Sequence, residues 1–87
     1  MSQFFYDTIE GRFELLRVAF CTETNNERKE QIFTLLKAAH KISLKVLRLE
    51  AFERLRRTKQ IQSWTQKIEA DLEVLQLQIT ALNITQN

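Results

Sequence analysis

Apolar side chains recur at helical spacing along almost the whole chain. Phe5, Ile9, Phe13, Leu16 and Phe20 are four, four, three and four residues apart, with Gln3, Asp7, Glu10, Glu14 and Arg17 on the opposite face. This pattern predicts an amphipathic helix from about Ser2 to Cys21, with Ser2 a suitable N-cap. A second run, Ile32, Leu35, Ala39, Ile42, Val46 and Leu49, alternates threes and fours. Such a seam suits helix-on-helix packing at a shallow angle. Beside it lies another apolar stripe, Phe33, Leu36, His40, Leu44, Leu47 and Ala51. Two adjoining stripes predict that this helix is covered from two sides, which one partner helix cannot do.

The pattern breaks twice. The segment Thr22-Glu23-Thr24-Asn25-Asn26-Glu27 is a turn, and Thr24 with Glu27 fits a capping box, while Asn25 or Asn26 are alternative caps. The second break is Glu53 to Gln60, where Leu55 is the only large apolar residue. Continued through it, the earlier seam would put Glu53, Arg56, Gln60, Ser63 and Lys67 in the core, so the register cannot persist. Apolar spacing restarts at Ile61, Trp64, Ile68, Leu72, Leu75, Ile79 and Leu82, and Ser63 with Gln66 offers a weaker capping box. Two architectures fit. A turn near Thr58–Ser63 gives three helices folded back on each other. Alternatively, residues 26–84 form one helix of roughly 90 Å that a second chain must cover. The lost register and the solvated gap favour the turn.

Composition narrows the class. One Gly, no Pro and a preponderance of good helix formers leave little material for sheets or loop-rich folds. The expected fold is all-α: a three-helix bundle or antiparallel helical coiled coil, oligomeric, in one domain over residues 1–87. Its helices lie near residues 3–21, 26–57 and 61–84. Eighty-seven residues bury a modest core, so added burial against another copy is expected. The longest uncharged stretch, Val74 to Asn87, is too short and polar to span a bilayer. A single cysteine, Cys21, allows no internal disulfide and points to a reducing, cytoplasmic compartment. The start of the chain carries no basic n-region and reads as no signal peptide.

Candidate chemistry is sparse. His40 shares a stripe with Phe33, Leu36 and Leu47, which predicts a half-buried packing role. One His and one Cys cannot supply the three or four ligands of a zinc site, and nothing brings Cys21 and His40 together as a nucleophile pair. The i,i+4 pairs Glu10–Glu14 and Glu69–Glu73 lack the Glu-x-x-His companions of di-metal bundles and read as solvated faces. Asn83-Ile84-Thr85 is a formal glycosylation sequon without meaning inside a cell. No enzyme and no cofactor are expected. The aromatic load of the first helix raises a membrane-surface reading, but Asp7, Glu10 and Glu14 on its polar face would be repelled by anionic lipid.

Charge is the strongest departure from a plain bundle. Residues 1–31 carry six acids and four bases, residues 32–67 nine bases and two acids, and residues 68–87 three acids and no base. The net charge of +2 therefore hides a cationic middle between two acidic ends. Lys37, Lys41, Lys45 and Arg48 lie along one helical face, and Arg54, Arg56, Arg57 and Lys59 follow. Like charges so placed repel by a few tenths of a kcal/mol per pair. The expected neutralisers are Glu69, Asp71 and Glu73 of the same chain. An acidic protein and a nucleic-acid backbone are the other candidates. Without a helix-turn-helix signature or aromatics among the bases, nucleic acid ranks below protein. The resulting expectation is a small protein–protein interaction module: an adaptor, chaperone-like protein or regulatory subunit. Phe5, Phe13, Phe20, Leu36, Leu47, Trp64, Ile68, Leu75 and Ile79 would carry the packing. A nucleic-acid-associated protein using Lys37 to Lys59 is the alternative.

Overall fold

The computed structural model describes residues 2–84. The three apolar runs become three helices, α1 (Ser2–Thr22), α2 (Asn26–Arg54) and α3 (Thr58–Ala81). Helix makes up 89% of these residues, and no strand occurs among them. The fold is thus all-α with the turned, three-helix architecture.

The helix ends are set by local chemistry. Asn25 adopts an extended conformation (φ −82°, ψ 120°), and its side chain accepts the Arg28 backbone N–H at 3.0 Å. Asn25 is therefore the N-cap of α2, and the Thr24–Glu27 box does not form. Asn caps somewhat better than Thr, and Thr24 stands one residue too far out. The second turn also differs from expectation. α2 ends at Arg54 and α3 begins at Thr58, each three residues before the predicted boundary, and Ser63 lies inside α3. The reason is a Schellman motif. Arg56 takes a left-handed φ of 56°, Arg56 N–H donates to the Glu53 carbonyl at 3.1 Å, and Arg57 N–H donates to the Phe52 carbonyl at 3.0 Å. Periodicity misses this turn because Thr58, Lys59 and Gln60, which open α3, are polar. The same motif stops α3 at Ala81 rather than residue 84. Asn83 has φ 56°, Asn83 N–H donates to Thr80 and Ile84 N–H to Ile79, which folds Ile84 back onto the core.

α1 and α3 both pack on α2, which runs antiparallel to each, and no Cα of α1 comes within 8 Å of one of α3. The α2 seam Ile32, Leu35, Ala39, Ile42, Val46 and Leu49 is wholly buried. It meets Phe5, Ile9 and Leu16 on one side and Ile68, Leu75 and Ile79 on the other. Each such side chain contributes about 1.5–3 kcal/mol relative to an exposed one. Arg28 ties one end of the bundle together. It pairs with Glu23 at 3.3 Å and donates to the Leu82 carbonyl just past α3.

α2 is covered by two helices as expected, but not along both of its stripes. The second stripe of α2 is not covered: Phe33, Leu44 and Leu47 are 50%, 52% and 54% exposed, and His40 and Ala51 are exposed too. Only Leu36 of that stripe is drawn partly under the core. The first seam spreads over about 100° of the helix surface, wide enough for both neighbours. α1 and α3 therefore share one stripe instead of taking one each.

Candidate functional site

The residues expected to carry packing divide into two groups. Phe5, Ile68, Leu75 and Ile79 are fully buried and hold the fold. Phe13, Phe20, Leu36 and Trp64 are partly buried at the rim of the core, and Leu47 is exposed. Trp64 belongs to the α2–α3 side. Its ring lies 6.2 Å from Phe52, with Arg48 and Lys67 cations 5.3 Å and 4.6 Å from its centroid. Each such contact adds about 0.5–1 kcal/mol at an exposed site.

The other rim residues gather on the outer flank between α1 and α2. The Phe20 and Phe33 rings are 6.1 Å apart. An open groove along this flank is lined by Tyr6, Ile9, Glu10, Phe13, Arg17 and Ser43. Tyr6 donates to the Glu50 carboxylate at the far end of the groove. Its phenol is shifted upward from the ordinary 10.0, chiefly by burial and then by the neighbouring Glu50 charge and hydrogen bond. Phe33, Leu44 and Leu47 of the open stripe are exposed on α2. Phe33, Leu44 and Tyr6 do not figure among the residues the sequence singles out for packing. The first two stood in the second stripe, and their open position follows from where α1 docks, which periodicity does not encode.

The bases are only partly neutralised within the chain. Lys45 pairs with Asp71, and Arg54 pairs with Glu50 at 3.0 Å. Glu69 and Glu73 remain exposed and make no ion pair with the stripe, which corrects the expected internal pairing. Each stands two residues from Asp71, and residues two apart on a helix point to nearly opposite sides. Only one of the three acids can face α2. Lys41 lines the groove beside Asp71 without an ion pair, and Lys37 sits 5.2 Å over the Phe33 ring. Arg56, Arg57 and Lys59 are exposed at the α2–α3 turn.

His40 is exposed rather than half-buried, because its stripe is left open. Cys21 is exposed at the end of α1. Among the described residues no group of three or more His, Cys, Asp or Glu converges, and no helix is long and apolar enough to cross a membrane. Thr85 of the sequon lies outside the described residues. No family model, curated protein or solved structure matches this chain.

Proposed function

We propose that this chain is a protein–protein interaction module of the adaptor, chaperone-like or regulatory-subunit kind, acting by helix packing and associating with itself in the cytoplasm. One observation carries the reading: α2 has a complete buried seam and, beside it, a second apolar stripe that its own chain leaves open. Contiguous apolar surface on a small protein marks a place where something docks. The reading requires no catalysis and no cofactor. The lone exposed thiol of Cys21 suits a reducing compartment.

A nucleic-acid reading has its own observation. Lys37 and Lys41 lack an ion pair, and Arg56, Arg57 and Lys59 crowd one tip of the rod. The experiment that separates the two is a titration of labelled duplex and single-stranded nucleic acid with wild-type protein at several salt concentrations. The interaction-module reading expects negligible affinity at physiological ionic strength. Tight binding would overturn it if it also fell with salt at a log–log slope near about −3.6, the value for four phosphate contacts on duplex DNA. The Lys37→Glu/Lys41→Glu/Lys45→Glu variant would then lose that binding while keeping its helical spectrum.

A further inference from the structure

A second groove lies between α2 and α3. Two hollows of about 320 and 300 Å³ compose it, and Gln78 lines both. On α2 the trough reaches from Gln31 to Lys45, roughly 21 Å at 1.5 Å per residue. Its floor is the buried Leu35, Ile42 and Leu75. Its walls are the short Ala38 and Ala81 and the half-exposed Val74. The Thr34 hydroxyl donates to the Glu30 carbonyl at 3.0 Å, so its polar atom is already satisfied. The end of the trough toward the α2–α3 turn is basic. Lys41 and Lys45 line it, and Arg48 and Lys67 continue it over the Trp64 ring. Asp71 is the acid among them, and Lys45 holds it. Lys41, Arg48 and Lys67 make no ion pair among the described residues. Arg56, Arg57 and Lys59 are exposed at the turn beyond. The other end is uncharged, with Gln31, Thr34 and Gln78, and Glu27 and Glu30 follow past it.

We infer that this trough is the docking surface for an acidic amphipathic helix of a partner protein, whose carboxylates lie over Lys41, Arg48 and Lys67. This rests on the interaction-module reading and names the partner's chemistry. A groove between two packed helices takes a third helix through apolar residues at i, i+3, i+4 and i+7. The trough has room for about fourteen residues of it. Its apolar floor calls for side chains that a phosphate backbone lacks. A nucleic-acid base would need an open aromatic face to stack on. The Trp64 ring is already crowded by Arg48, Lys67 and Phe52. The bases without ion pairs steer an acidic partner, and their confinement to one end sets its direction along the trough. A second copy offers no free helix of this kind. On the outer face of α1, Gly11 stands midway between the exposed Phe4 and Val18, and Arg17 pairs with Glu14.

Fluorescence anisotropy of labelled, lactam-bridged helical peptides of about fourteen residues, titrated with the full chain, tests this. The first probe carries Leu along one face and Glu on its flanks. The second has Lys in place of Glu, and the third keeps Glu but has Gln in place of Leu. A single-stranded oligonucleotide of equal charge is the fourth. The first probe is expected to bind, more weakly as salt rises. The other three are expected to bind at least about tenfold more weakly. Lys41→Glu/Lys67→Glu is expected to weaken the first probe about tenfold, because attraction at two exposed pairs turns into repulsion. Val74→Glu, at a half-exposed wall position, is expected to act by a similar factor. Leu47→Glu on the open stripe of α2 and Leu77→Glu outside the trough are expected to leave binding unchanged. Circular dichroism confirms that each variant folds.

Absence of binding by the first probe overturns the inference. So does binding that ignores either Lys41→Glu/Lys67→Glu or Val74→Glu. Equal binding of the third probe or the oligonucleotide overturns it too, since the surface would then read charge alone. Sedimentation equilibrium covers the remaining occupant. Self-association lost in Val74→Glu but kept in Leu47→Glu would place a second copy in the trough and overturn the acidic-helix assignment. Failure with the peptides alone leaves the interaction-module reading in place. That reading stands or falls separately on the nucleic-acid titration.

Discussion

Gly11 and Arg56 are each in the place the other would suit. Gly11 sits inside α1, and a Cβ built there meets nothing within 4 Å. No neighbouring helix crosses closely at this position. Arg56 holds the left-handed conformation at the C′ position of α2, which glycine adopts without steric penalty. Gly11→Ala should therefore stabilise the fold by about 1 kcal/mol, through helix propensity and a less flexible unfolded chain. Arg56→Gly should stabilise by a similar amount, about 1 kcal/mol, by relieving left-handed strain. Each should raise the melting temperature by about 4–8 °C, the shift for that energy in a domain of this size. Thermal denaturation followed by circular dichroism measures both. A drop for Gly11→Ala would mean that its face is occupied in solution. A drop for Arg56→Gly would mean that the arginine side chain makes a stabilising contact of its own.

The elements were legible in proportion to how one-sided they are. α1 and the α2 seam show in the spacing of Phe5 to Leu16 and Ile32 to Leu49, because only one face of each meets the core. The α2–α3 turn was displaced because its Schellman motif uses Arg56 instead of the expected Gly. The open flank was half legible. The second stripe was visible, but its exposure depends on where α1 docks. Tyr6 reports that docking directly, as the only tyrosine and a donor to Glu50 of α2. Its pKa is raised in the folded chain, so folding favours the neutral phenol. The associated stability is complete below pH 10 and is lost as pH rises through the elevated folded value. Titration of tyrosinate absorbance should therefore have its midpoint above 10.0 in the native protein. Glu50→Gln should move it down toward that value without reaching it, since burial is the larger cause. A native midpoint at the ordinary value would show that α1 does not rest on α2 as described.

At the scale of the whole molecule, α2 is the only backbone bridge between α1 and α3. Two outcomes are conceivable for such an arrangement: one cooperative unit, or an α2–α3 hairpin from which α1 detaches early. The core decides between them. Ile32, Ala39 and Val46 alternate along one seam with Leu35, Ile42 and Leu49, and all six are buried in a single cluster that includes residues of both outer helices. Removing α1 would expose Phe5, Ile9 and Leu16 and also uncover half of the seam that α3 uses. Arg28 adds a link at one end, joining the α1–α2 turn to the carbonyl of Leu82. Loss of either outer helix thus weakens the other's contact surface, which is the condition for two-state unfolding. The chain carries one probe for each interface, Tyr6 between α1 and α2 and Trp64 between α2 and α3. Tyrosine absorbance, tryptophan fluorescence and helical circular dichroism should give coincident denaturant transitions at a fixed protein concentration. An earlier tyrosine transition would mean that α1 is an appended helix rather than part of the core. In that case the groove between α1 and α2 would be a transient surface.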